Sequence, residues 1–212
     1  MKLEGKKINF LGDSITEGYG CEGEENIFLN VLTREAGLAA ARNYGISGTR
    51  IARQKGDNPA DSLAYCDRFG GMDDDADIVV VFGGTNDYGH GDAPIGRFED
   101  RTGETYYGAC HALMGGLIEK YPAATVVFIT PPHREGEDTP SAANGLPLGA
   151  YVQIIRETAA YYAIPVLDLY TIGGIQPNLP ASRERYCPDG LHPNAAGHAI
   201  IASRLRGFLE AL

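Results

Sequence analysis

The residues best suited to chemistry are a serine near the start of the chain and a histidine near its end. "NFLGDSITEG", residues 9–18, closes an apolar run on Gly-Asp-Ser and places Ser14 where a strand would end. A serine hydroxyl is a weak nucleophile until a base takes its proton, so the chain must also supply that base. "CPDGLHPNAAGH", residues 187–198, sets Asp189 three residues before His192, with a glycine and a proline keeping the segment off a regular helix. At that spacing a carboxylate can accept from the imidazole and fix its tautomer. Ser14, His192 and Asp189 then have the roles of nucleophile, base and orienting acid, and the chemistry is acyl transfer.

Attack on a carbonyl leaves an oxyanion that needs donors, each worth roughly 2.7–4 kcal/mol in comparable sites. Three candidates are the backbone N–H of Ser14, that of Gly48 and the side-chain amide of Asn86. Glycine suits the second role because a close backbone approach tolerates no Cβ.

Each of these residues also has a plainer reading. Gly-Asp-Ser before a helix is a capping context, and an asparagine after a strand often satisfies loop backbone. Asp13 and Asp168 compete with Asp189 as orienting acid, though the short spacing to His192 favours Asp189 and Asp13 reads as a helix-start residue. His111 and His198 read as packing or surface residues, whereas His90 and His133 fall in loops that could touch a substrate. Arg97, Arg101 and Arg134 lie in those same loops and could together form a rim for an anionic group. Cys187 is a weaker nucleophile candidate: the four cysteines (Cys21, Cys66, Cys110, Cys187) are scattered, without metal-ligand spacing, and read as free thiols. The "DDDAD" run at 73–77 reads as a solvated turn, its acids too close together for a calcium loop.

The elements that must position these side chains alternate along the chain. Apolar runs predict strands at 6–12, 38–45, 77–84, 124–130 and 164–169, with helices near 25–37, 59–68, 105–120, 147–162 and 194–211. Val79 to Phe82 and Val126 to Ile129 are continuous apolar runs, as strands buried on both faces require. A β-α repeat implies a parallel sheet with right-handed crossovers covered by helices, and five strands fit a flavodoxin-like three-layer α/β/α sandwich. Ligands in such sheets bind outside the carboxyl ends of the strands. Asp13 and Ser14, Ser47 and Gly48, and Asn86 and Asp87 all fall just past strand ends, so they should share one edge. The longer connections 88–107 and 131–147 would rise on that edge as pocket walls.

Length and composition agree with one domain spanning 1–212. The chain has 212 residues, 43% hydrophobic and 22% charged, the make-up of an ordinary folded protein rather than a disordered one. A net charge of −10 argues against nucleic acid or an anionic membrane surface as partner, since both would repel it. "MKLEGKKINF" lacks the apolar core of a signal peptide, so the cytoplasm is the expected location. A homo-oligomer is left open.

In its ordered blocks the chain resembles the SGNH (GDSL-type) hydrolase family: "FLGDSITEG" with Ser14, "NYGISGTRI" with Gly48, "GGTNDYG" with Asn86, and "PDGLHPN" with Asp189 and His192. Ile15 stands where the family name has leucine. The resemblance implies a flavodoxin-like fold, ester or thioester hydrolysis through an acyl-enzyme, and no cofactor. The expected substrate is a small acyl ester, with an acetylated carbohydrate suggested by Tyr88, Tyr106 and Tyr107 in the loops. The alternatives are a thioesterase or lysophospholipase using the same residues, or a silent binding module of the same fold.

Overall fold

The computed structural model describes residues 1–212. Five parallel strands, β1 (Lys7–Gly12), β2 (Ala40–Gly45), β3 (Ile78–Phe82), β4 (Thr125–Ile129) and β5 (Val166–Leu167), form one sheet in the order β2-β1-β3-β4-β5. The helices are α1 (Ser14–Glu17), α2 (Phe28–Ala36), α3 (Tyr65–Arg68), α4 (Thr85–His90), α5 (Tyr106–Lys120), α6 (Leu148–Tyr161), α7 (Leu169–Ile172), α8 (Pro180–Tyr186) and α9 (Ala195–Ala211). This is the expected α/β sandwich.

Alternation along the strands divides the core into two layers. Ile8, Phe10, Ile78, Val80, Phe82, Val127 and Ile129 point to one face, where they pack with Phe28 and Leu32 of α2 and Ile201 and Leu205 of α9. Leu11, Val79, Val81, Val126 and Phe128 point to the other, against Leu113 and Leu117 of α5 and Val152 and Ile155 of α6. Ile15 lies fully within the first layer, so the position where the family has leucine serves as a core anchor that fixes the residue beside Ser14. His198 belongs to this layer too: its Nδ1 accepts from Phe28 N at 3.3 Å, supplying the acceptor that the first turn of α2 lacks.

The structure corrects several sequence expectations. The helix expected over 59–68 is broken. Asn58 and Asp61 close a capping box on a single 3₁₀ turn (Pro59–Ser62), and Tyr65 N then donates to Arg50 O at 2.9 Å, drawing the chain toward the loop after β2. The strand expected over 164–169 contracts to two residues, because Pro165 has no N–H to donate and Asp168 turns to begin α7. The connection 88–107 begins inside helix α4 rather than as a loop. The acidic run is the expected solvated turn, with Asp73, Asp74 and Asp75 exposed before β3, and within it Asp73, Asp74, Asp75 and Asp77 pair with Arg42, Lys120, Lys7 and Lys6. No helix is long and apolar enough to cross a membrane.

Candidate active site

The end of β1 turns abruptly. A Cβ on Gly12 would fall 1.9 Å from Thr16 Oγ1, so only glycine lets α1 fold back over the strand end. Asp13 caps that helix, its Oδ1 accepting from Ile15 N at 3.0 Å. Burial pushes the Asp13 carboxyl up to about 7, with the nearby Asp87 adding to the shift. It is committed to the cap. Arg68 donates to Tyr44 O at 2.6 Å and to Gly12 O at 2.7 Å, pinning the carboxyl ends of β1 and β2 together.

Ser14, the first residue of α1, places its Oγ 3.0 Å from His192 Nε2. His192 Nδ1 lies 2.7 Å from Asp189 Oδ2, while Asp189 Oδ1 accepts from the backbone N–H groups of Leu191 and His192 at 2.8 and 2.7 Å. Partial burial would raise the Asp189 pKa, but the bonds from His192 and Leu191 outweigh it and hold the carboxyl below its ordinary value. An ionised acceptor at Nδ1 leaves Nε2 free to take a proton from Ser14. Asp168 is used elsewhere, accepting from Thr130 Oγ1, Thr171 Oγ1 and Arg156. Cys187 is buried, and burial pushes its thiol up to about 12, which excludes a ready thiolate.

Gly48 sits in the tight turn after β2 at φ +77°, a backbone conformation that favours glycine. A Cβ there would touch only Ala60 Cβ at 3.7 Å, so within the chain it is the positive φ and not crowding that calls for glycine. Glu17 of α1 accepts from Ser47 N at 2.7 Å and ties this turn to the serine. From the end of β3, Asn86 donates through Nδ2 to Thr49 O at 3.1 Å. Its neighbour Asp87 accepts from Ile51 N and Ala52 N, both at 3.0 Å, despite burial that pushes its carboxyl up to about 6. Sequence placed Asp87 at this edge but did not reveal that it laces α4 to the turn bearing Gly48.

Ser14, Gly48, Asn86 and His192 meet around one hollow of about 240 Å³, with Tyr19, Ser47, His90 and Leu191 completing its wall. The predicted loop contacts are largely absent from it. His133 pairs with Glu137, Arg101 lies over Phe98 and Tyr161, and Arg134 donates to Thr85 O at 3.2 Å; none of the three arginines lines the hollow. The three loop tyrosines serve packing instead: Tyr88 donates to Gly136 O and Thr139 O, Tyr106 is buried, and Tyr107 donates to Glu157. The aromatic ring at the hollow is Tyr19, its centroid 4.6 Å from that of His192 and its side chain mostly exposed. A lone tyrosine between glycines carried no pattern by which sequence could single it out.

The profile of the GDSL-like lipase/acylhydrolase family matches residues 10–200. A crystal structure of a protein from Lactobacillus plantarum is 32% identical, covers 98% of each chain and superposes with a TM-score of 0.85. The lipase/acylhydrolase from Enterococcus faecalis is 23% identical over 97% of this chain and 96% of that one, with a TM-score of 0.69. The acetyl xylan esterase AlAXEase has the same fold at 22% identity, over 95% of this chain and 98% of its own, with a TM-score of 0.64. No curated protein matches. This chain belongs to the GDSL-like lipase/acylhydrolase family, and it is a hydrolase.

Proposed function

We propose that this hydrolase is a serine esterase for short acyl groups, acetyl above all, with Ser14 as nucleophile, His192 as base and Asp189 as orienting acid. The observation that carries the reading is the unbroken relay from Ser14 Oγ through the His192 ring to Asp189, opening on a hollow of about 240 Å³. His192 Nε2 takes the Ser14 proton as Oγ bonds to the acyl carbon. The carbonyl oxygen becomes an oxyanion held by the N–H groups of Ser14 and Gly48 and the Asn86 amide. When the intermediate collapses, the C–O bond to the alcohol breaks and His192 returns its proton to that oxygen. Water then repeats the sequence on the acyl-enzyme, releasing the acid and restoring Ser14.

Short acyl groups are favoured by what the walls lack. A long alkyl chain gains about 0.8 kcal/mol per buried methylene only along an apolar channel. Around Ser14 the apolar wall is limited to Tyr19 and Leu191, and the largest hollow, about 550 Å³, is walled by prolines and by Glu135, Asn178, Arg183 and Glu184. A carbohydrate alcohol fits the exposed Tyr19 ring at the mouth, since flat rings stack on sugars, and an acetyl xylan esterase shares the fold.

Hydrolysis of p-nitrophenyl esters from acetate to palmitate, with Ser14→Ala beside the unaltered enzyme, tests the reading. Activity should fall as the chain lengthens, and the substitution should lower kcat by at least about 10³-fold. Rates that climb with chain length would reassign the enzyme to long-chain lipids or thioesters, and activity surviving Ser14→Ala would remove the nucleophile.

A further inference from the structure

Behind Asn86 lies a chain of side chains that the acyl-transfer chemistry does not itself use. Asp61 pairs with Arg50, and Arg50 Nη2 contacts His90 Nδ1 and also donates to His90 O at 3.2 Å. His90 Nε2 lies 3.1 Å from Asn86 Oδ1, and Asn86 Nδ2 lies 3.1 Å from Thr49 O. Arg50 is buried, and Asp61 is nearly so.

The direction of every bond in this chain follows from the chemistry of its two ends. A guanidinium has donors and no acceptor, so His90 Nδ1 must accept from Arg50. The neutral ring then carries its proton on Nε2, which must donate, and Asn86 has only Oδ1 to receive it. The Nδ2 group is thereby turned toward Thr49 O, a carbonyl that can only accept. One Nδ2 proton goes to that carbonyl and the other is left for the hollow. A doubly protonated His90 would face Arg50 donor to donor, and burial together with the Arg50 charge accordingly lowers its pKa. A flipped amide would set Nδ2 against the Nε2 proton and Oδ1 against Thr49 O, losing both bonds.

We infer that His90 is a positioning residue for the oxyanion site: held in one tautomer by the Arg50–Asp61 pair, it locks the Asn86 amide with its N–H toward the acyl oxygen. The inference rests on the reading of Asn86 as an oxyanion donor. A locked amide stabilises the transition state without reorganising, so its loss falls on kcat more than on KM.

A double-mutant cycle on p-nitrophenyl acetate tests it with His90→Phe, Asn86→Ala and their combination, alongside His90→Gln. Asn86→Ala should lower kcat about 10²-fold. In the unaltered enzyme His90→Phe should lower kcat about tenfold with KM within about twofold, and in the Asn86→Ala background it should change nothing. His90→Gln, whose amide N–H can reach the place of Nε2, should regain part of the loss. An equal loss from His90→Phe in both backgrounds, a loss confined to KM, or glutamine as slow as phenylalanine would overturn the inference. Full activity in Asn86→Ala would remove the oxyanion reading and the positioning role together, while leaving the nucleophile to stand or fall on Ser14→Ala. If His90→Phe does not fold, Asp61→Asn outside the hollow enters the same cycle, and its kcat loss must likewise vanish without Asn86.

Discussion

Two histidine–carboxylate pairs sit in this molecule with the same closest approach and different surroundings. His192 Nδ1 lies 2.7 Å from Asp189, and His133 Nδ1 lies 2.7 Å from Glu137. Beyond His192 is the Ser14 hydroxyl, whereas the His133 ring lies over Tyr170 at 4.2 Å between centroids and bonds no hydroxyl through Nε2. The acids differ as well. The Asp189 side chain is 50% exposed and that of Glu137 only 6%, and Glu137 also accepts from Arg134 N at 3.1 Å, closing the turn after β4. The two pairs thus differ in setting: His133 ties a loop and ends in packing, whereas the far nitrogen of His192 meets a hydroxyl, the contact on which the proposed proton transfer from Ser14 rests.

The comparison is broken most severely at Asp189. Asparagine there can still accept from the two backbone N–H groups, but its amide would donate to Nδ1 and leave the proton on Nε2, facing Ser14. We expect Asp189→Asn to keep its fold, checked by circular dichroism, and to lose about 10⁴-fold in kcat, as a wrong tautomer does in serine hydrolases.

A third histidine, His198, has no carboxylate at all, and its effect should appear in stability. Burial lowers its pKa to about 4, so the folded chain keeps it neutral while the unfolded chain begins to protonate near 6.5. The unfolded state then binds more protons, and stability falls as pH drops from 6.5 to about 4, by about 3 kcal/mol in all. Asp13 and Asp87, raised to about 7 and about 6, act with the opposite sign, so the effect must be read as a difference. Denaturant unfolding of the unaltered chain and His198→Asn should show their gap narrowing by about that amount between pH 7 and pH 4. A constant gap would contradict the burial account.

The smallest expected effects lie at the second pair. Glu137→Gln should cost about 1–3 kcal/mol of stability by weakening bonds to a charged acceptor, with kcat changed by less than about twofold. Thermal melts and esterase assays on the same preparations check both. A kcat loss as deep as that of Asp189→Asn would erase the distinction between the two pairs.

The choice of Asp189 over Asp13 and Asp168 was legible because "DGLHP" sets it three residues before His192, whereas the second histidine–carboxylate pair, His133 and Glu137 in "HREGE", becomes visible only in the fold. The central strands were legible because Val79 to Phe82 and Val126 to Ile129 are buried on both faces and leave no polar gap. What was not legible depends on partners far along the chain. The bond from Tyr65 to Arg50 O overrides the helix expected across 59–68. The helix at 85–90 is built from Thr, Asn, Asp and Gly, poor formers steadied by the bonds of Asp87 to the turn after β2. Arg50 and Asp61 stand 36 and 25 residues before Asn86 in sequence, and only folding makes them its support.

Asp189 and His192 lie on one short segment between α8 and α9, whereas the serine they meet was laid down 178 residues before the histidine. During synthesis the first four strands can assemble while Ser14 remains an ordinary alcohol beside a capped turn. On the proposed triad, Ser14 meets its base only once the segment before α9 is in place, with α9 packed on the same core layer as α2. On that reading esterase activity cannot precede the docking of the C-terminal segment, and its return after dilution from denaturant would time that step.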